Sequence, residues 1–193
     1  MKFALMIILV GTSGAGKSTL GNYVLCKNEK IKKLIAITDR PPRMTERDGV
    51  DKFFVSPDIF QQLNQMGKLC LVNKIYEHMY AFRKKDFEGD GVYIGELHYE
   101  RLKEFIEFYP STISIYIKSE SNDAVRGLYF RGSSKEEISI RKSKQLAEIE
   151  ELNYMCNQGK FDYIFHNKFK ESDKQDFYRL IEKIIYERGD DLN

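Results

Sequence analysis

The chain has 193 residues, with 31 Lys and Arg against 29 Asp and Glu and a formal net charge of +2. At that length, with 42% hydrophobic and 31% charged residues, it reads as one domain with an ordinary core, not as a disordered chain. The near-neutral balance argues against a dedicated nucleic-acid binder, although a local patch can hide inside a neutral total.

The apolar run over residues 3–10, FALMIILV, is continuous and predicts a central parallel strand covered on both faces. It is too short to span a bilayer, so no membrane partner is expected. Lys2 precedes it as in a signal peptide, but a glycine-rich loop follows where a cleavage site would stand. A helix is expected from Ser18 to about Cys26, and Leu34 to Thr38 forms a second short apolar stretch. From Asp39 to about Asp90 the texture changes to mixed polar sequence, with Pro41-Pro42, a turn at Asp48-Gly49 and a helix over 58–66 that Ser56 or Asp58 caps and Gly67 stops. This stretch reads as a small inserted subdomain.

Beyond it come a strand over 91–94, a helix over 96–108 ended by Pro110, and a strand over 112–117 with alternating isoleucines. A short helix over 122–130, a longer charged helix over 135–156, a strand over 161–165 and a helix over 172–188 capped by Ser172 or Asp173 complete the chain. Strands alternating with helices imply an α/β fold with a parallel sheet flanked by helices. Cys26, Cys70 and Cys156 are scattered with no CxxC pair, which fits neither a disulfide framework nor a zinc site and points to a reducing, cytoplasmic location. His78, His98 and His166 share no metal-ligand spacing and are expected to be structural or on the surface.

Gly11-Thr12-Ser13-Gly14-Ala15-Gly16-Lys17-Ser18 fits GxxxxGK[ST], between an apolar strand and a helix as that motif requires. Its glycines let backbone N–H groups converge on phosphate oxygens, and the helix N-terminus adds partial positive charge. Lys17 is placed to reach the β- and γ-phosphates and the Ser18 hydroxyl to ligate Mg²⁺. By itself such a P-loop leaves GTPase, ATPase and kinase open.

Four further segments resemble guanylate kinases. Thr38-Asp39-Arg40-Pro41-Pro42-Arg43 is similar to the family's TTRxPR, and Asp48 to Val55 to its DGxDYxFV. Arg131-Gly132 with Glu136 and residues 138–141 resembles the lid, and Phe161 to Asn167 the closing DYxIxN segment. The resemblance implies a P-loop kinase core (residues 1–38, 91–125 and 157–193), a monophosphate-binding insert (39–90) and a lid (126–145). It implies transfer of the γ-phosphoryl of ATP to a nucleoside monophosphate, GMP or dGMP first, with Mg²⁺. It assigns Lys17, Arg131 and Arg141 to catalysis and Gly11, Ser13, Gly14, Ala15, Gly16, Lys17, Ser18, Thr19 and Asn167 to ATP. Ser18 is assigned to the metal, and Arg40, Arg43, Lys52, Tyr80 and Glu96 to the monophosphate. A guanidinium fork suits a phosphate because it donates two hydrogen bonds in one plane.

The departures gather at the base-reading positions. The family's serine, glutamate and serine or threonine there align with Ala36, Leu71 and Phe82, and the tyrosine of DGxDY with Lys52. Glu96 is left with two open roles, accepting from a base or holding Mg²⁺ through water, and Glu77 is the nearest spare carboxylate if the register shifts. The same fold acting on another nucleotide or a small phosphorylated metabolite is therefore the alternative. A non-catalytic binding module ranks below both, because Lys17 and Ser18 are intact. Arg126, Arg131, Lys135, Arg141, Lys142 and Lys144, against Glu136 and Glu137, make the basic patch that the net charge conceals. The oligomeric state is not legible.

Overall fold

A computed structural model describes residues 4–120 and 135–189, with side chains over 4–120 and 145–188. Five strands form a parallel sheet in the order β2 (Ile31–Leu34), β7 (Val92–Glu96), β1 (Leu5–Val10), β8 (Thr112–Lys118), β9 (Tyr163–His166). β1 lies at its centre, and all six of its residues are buried because both faces are covered. Leu5, Ile7 and Leu9 point to one side, where they meet Leu20 and Val24 of α1 (Lys17–Lys27) and Phe177, Ile181 and Ile184 of the C-terminal helix. Met6, Ile8 and Val10 point to the other, against Leu102 and Phe105 of α3 (Leu102–Phe108) and Leu152 of α4 (Lys135–Asn157). The two-residue period of the strand thus feeds two separate apolar layers.

A second sheet has the order β4 (Phe53–Phe54), β3 (Ile37–Thr38), β6 (His78–Arg83), β5 (Leu69–Ile75). α2 (Pro57–Gln65) covers it, burying Phe60 against Ile37, Leu69 and Ala81. Ser56 caps α2, its hydroxyl accepting from the Ile59 N–H at 3.3 Å, with Pro57 at the first helical position.

The apolar stretch 34–38 does not form one strand. Leu34 ends β2, whereas Ile37 and Thr38 leave for the second sheet, so one sequence signal serves two cores. The stretch over 69–83 is a two-stranded hairpin, with Tyr76 and Glu77 as its two-residue turn. The helix expected over 96–108 opens as a 3₁₀ turn, Tyr99–Arg101, because the strand still holds Glu96 in register opposite Leu9. The C-terminal helix α5 (Glu171–Gly189) is anchored by Asp173, whose carboxylate accepts from the N–H groups of Lys168 at 2.7 Å and Lys170 at 3.0 Å. The segment 122–130, with Arg126, lies outside the described residues.

All three cysteines are free thiols. Burial pushes Cys70 up to about 11, so it stays protonated at neutral pH. No described helix is long and apolar enough to cross a membrane, and no cluster of three potential metal-binding side chains occurs among the described residues.

Candidate active site

The loop between β1 and α1 is shaped by steric demands that only glycine meets. Gly16 stands at φ +93°, and a Cβ there would collide with the Asn167 side-chain amide. A Cβ on Gly11 would come within 2.6 Å of the Ile117 carbonyl oxygen on β8. α1 has no side-chain cap and no acidic residue in its first turn, so its N-terminal partial charge is left for a ligand. Lys17 curls over the loop, its Nζ donating to the carbonyls of Gly11 at 2.7 Å and Thr12 at 2.8 Å.

Asn167 meets the loop from behind. It is 5% exposed, and its Nδ2 donates to the Ala15 carbonyl at 2.8 Å. Its own N–H donates to the Lys118 carbonyl at 2.8 Å, and its Oδ1 accepts from the Phe169 N–H at 3.1 Å. The side chain therefore ties the end of β9 to the P-loop backbone.

In front of the loop opens a cleft of about 390 Å³, within the ordinary range for small-molecule sites. Gly11, Ser13, Gly14, Lys17, Ser18 and Thr19 line its one end. Ala15, Gly16 and Asn167 are buried behind that surface. Lys52, Glu96 and Ser18 lie where the cleft adjoins a smaller side pocket.

Arg40, Arg43 and Tyr80 line the cleft together. Arg40 is only 7% exposed, and its Nη2 donates to both carboxylate oxygens of Glu46, at 2.9 and 2.8 Å. Its Nε donates to the Tyr80 hydroxyl at 3.1 Å and its Nη1 to the Pro41 carbonyl at 2.7 Å. Glu46 also accepts the Arg43 backbone N–H at 2.8 Å and lies 3.6 Å from the Arg43 guanidinium. Burial alone would raise the Glu46 carboxyl, but the Arg43 N–H and the Arg40 guanidinium outweigh it and hold Glu46 below the ordinary carboxylate range. Glu46 is thus the hub that sets both arginines and, through Arg40, the Tyr80 hydroxyl. Sequence reading missed it, although the even three-residue spacing Arg40, Arg43, Glu46 was a usable signal.

The remaining wall is mostly apolar. Ala36, Leu71 and Phe82 occupy the positions where the resemblance places base readers, and all three belong to or pack on the apolar layer around Phe105. β5 is bulged between Cys70 and Asn73, with Leu71 in the left-handed region at φ +54°. Two polar groups missed in the sequence reach this end. Glu148 comes from α4, its Oε1 accepting from the Tyr76 hydroxyl at 3.2 Å. His98 lies 3.4 Å from the mostly exposed Glu100 carboxylate, yet burial outweighs that attraction and lowers its pKa. Of the other two histidines, His78 faces Asp39 at 3.4 Å and His166 is exposed at the end of β9. Arg131 lies outside the described residues; Arg141 lies on α4, with its side chain outside them, as do those of Lys135, Lys142 and Lys144.

Loop, central strand and facing cleft together give the chain the architecture of the P-loop kinases. The guanylate kinase family model matches residues 4–184. The chain is 30% identical over 188 residues to the guanylate kinase of Caldanaerobacter subterraneus subsp. tengcongensis, covering 95% of this chain and 85% of that protein. It is 28% identical to that of Clostridioides difficile, covering 91% and 86%. The crystal structure of guanylate kinase from Anaplasma phagocytophilum superposes with a TM-score of 0.69 at 19% identity, over 97% of this chain and 87% of that one. The chain belongs to the guanylate kinase family.

Proposed function

We propose that this protein is an ATP-dependent nucleoside-monophosphate kinase that transfers the γ-phosphoryl of ATP to GMP. The observation that carries this is the single cleft onto which both the P-loop and the Arg40–Glu46–Arg43–Tyr80 group open. One end suits a triphosphate and the other a monophosphate, which is the arrangement an in-line transfer between two bound nucleotides needs.

In this reading the P-loop N–H groups cradle the donor phosphates, and Lys17 leaves the Gly11 and Thr12 carbonyls to follow the transferring phosphoryl. Arg43 and the Tyr80 hydroxyl hold the acceptor phosphate, and Lys52 adds a donor from the facing turn. Arg40, whose donors are mostly engaged within the protein, orients Tyr80 and Glu46 and adds charge. Asn167 holds the ATP loop in shape instead of touching the nucleotide. Residues 39–90 act as the monophosphate-binding insert and 126–145 as a lid whose Arg131 and Arg141 reach the transferring phosphoryl. Closure would keep water from the γ-phosphoryl.

Ser18 and Glu96 are oxygen donors lining the same part of the cleft, a set that fits Mg²⁺ held partly through water. When bound, Mg²⁺ would neutralise charge on the donor phosphates. A cytoplasmic location, where nucleotide pools and reduced thiols coexist, belongs to this reading, and no nucleic-acid partner does.

The test is ADP release in the presence of ATP, Mg²⁺ and each common ribo- and deoxyribonucleoside monophosphate. GMP giving the highest kcat/KM, with dGMP next, is the expected result. A chain that binds ATP and releases no ADP above background with any of them would overturn the proposal.

A further inference from the structure

The base end of the cleft poses a chemical problem. A guanine ring offers donors at N1 and N2 beside an acceptor at O6, and a site that discriminates for it needs the opposite pattern. β5 supplies no acidic acceptor: of its residues, Leu71, Asn73 and Ile75 line the cleft, and Leu71 is 3% exposed within an apolar layer. Its alternate face, with Val72, packs toward α2.

A carboxylate reaches the same cleft from elsewhere in the chain. Glu148, half-buried on α4, lines it, and the Tyr76 hydroxyl donates to it at 3.2 Å. Tyr76 sits in the two-residue turn between β5 and β6 at φ +55°, a conformation that a bulky side chain adopts only at a cost and that glycine or asparagine would fill without strain. That strain is offset where the ring and hydroxyl have a use, and here they hold a carboxylate at the rim of a cavity. The complementary group is Asn73. Asn73 lines the cleft, and its side-chain Nδ2 is buried with no hydrogen-bond partner among the described residues. A buried amide donor left unmade is costly, so the site favours an occupant that brings an acceptor to it.

We propose that Glu148, delivered by α4 and held by Tyr76, is the carboxylate that reads the base edge in this chain, with the Asn73 amide donating to the carbonyl oxygen beside it. Acceptor and donor then match N1–H, N2–H and O6 of guanine. They oppose adenine, which presents an amino donor and a ring acceptor in those places. The ring lies against Leu71 and Phe82. Base selection thus moves from β5 to a helix. Tyr76 acts through Glu148, as a positioning residue. The inference rests on the kinase reading above, because it takes the occupant to be the base of the acceptor.

The experiment compares GMP with IMP, which lacks only the N2 amine, on the full-length chain. Both KM in the coupled assay and Kd by calorimetry without ATP are measured for wild type, Glu148→Gln, Tyr76→Phe and Asn73→Ala. Wild type should prefer GMP to IMP by about tenfold or more, one charge-assisted hydrogen bond. Glu148→Gln should raise KM and Kd for GMP about 10- to 100-fold, bring the GMP/IMP ratio near one and leave KM for ATP within about twofold. Asn73→Ala should weaken GMP and IMP alike, since both carry O6, and keep their ratio. Tyr76→Phe should produce a smaller change in the direction of Glu148→Gln. Should Glu148→Gln fold poorly, as read by its melting temperature, Glu148→Asp tests the same point. It keeps the charge and shortens its reach, and the GMP/IMP ratio should still fall. An unchanged ratio in the Glu148 variants, or equal loss for GMP and IMP, would overturn the proposal and leave Tyr76–Glu148 a mere latch. GMP bound through Glu148 but never phosphorylated would overturn the kinase reading alone; GMP turned over with no dependence on Glu148 would overturn this inference alone.

Discussion

The two ends of the cleft are built in opposite ways. At the P-loop and arginine end the charged groups lie close in sequence to their partners, Lys17 over Gly11 and Thr12 and Glu46 with Arg40 and Arg43, while Tyr80 and Asn167 join from farther along the chain. The end proposed to take the base is assembled from β5, its hairpin turn and α4, with Tyr76 and Glu148 72 positions apart in sequence. Phosphate recognition needs only backbone N–H groups and cations, which a short segment can present. Reading a base edge needs donors and acceptors on several sides of a ring, and only distant elements can supply those. The consequence is that the phosphate end should be intolerant of change, whereas the base end can exchange its residues and keep its task.

Substitutions can break or sharpen this contrast. The largest effect is expected for Lys17→Ala, which removes the cation that lies over the P-loop. It should lower kcat by about 10²–10³-fold for every acceptor alike, measured by steady-state ADP release. A loss confined to one base would erase the distinction between the two ends.

Glu46→Gln comes next. It leaves the Arg40 guanidinium, 7% exposed, without its counter-charge, and should destabilise the fold by about 2–4 kcal/mol in urea titration. KM for the monophosphate should rise with little change for ATP. The same pair predicts an acid limit. The Glu46 carboxyl sits below the ordinary carboxylate value in the fold and at that value when unfolded, so its stabilisation is complete above about pH 4.5 and is lost as the pH falls through the folded value. Urea midpoints at pH 7 and pH 4 should differ less in Glu46→Gln than in wild type.

Asn167→Ala should cost about 1–2 kcal/mol, since the buried Ala15 carbonyl loses its donor. Because Asn167 acts through the loop, KM for ATP should rise while KM for GMP stays nearly constant.

The smallest effect belongs to His98. Burial lowers its pKa in the fold, whereas the unfolded chain takes up a proton near pH 6.5. Unfolding therefore binds a proton below that pH, so the contribution of His98 is kept above about pH 6.5 and declines on acidification. Chemical denaturation between pH 7.5 and 5.5 should show a shallower decline in His98→Gln than in wild type.

Legibility in the sequence follows the same division. β1, the P-loop and α1 could be read directly, because a continuous apolar run, a glycine pattern and a helical start are local signals. The hairpin over 69–83 could not, since its strands face α2 on one side and a partly polar cleft on the other, leaving no clean alternation. The stretch 34–38 was legible only as apolar: two sheets share it, and apolar content alone does not say where the chain turns. Glu46 was within reach of a spacing argument, but Glu148 and His98 were not, because nothing in one dimension ties them to the residues they face.

By itself, then, the sequence determined the parallel α/β core, the phosphate loop and the family resemblance, all of which rest on periodicity and short motifs that the chain states locally. Tertiary structure alone decided that Arg40 meets the Tyr80 hydroxyl, that Asn167 braces the loop from behind, and that Glu148 of α4 lines the cleft with Tyr76. Those facts depend on which buried donors find acceptors across long separations, and pairing of that kind is settled only when the chain packs.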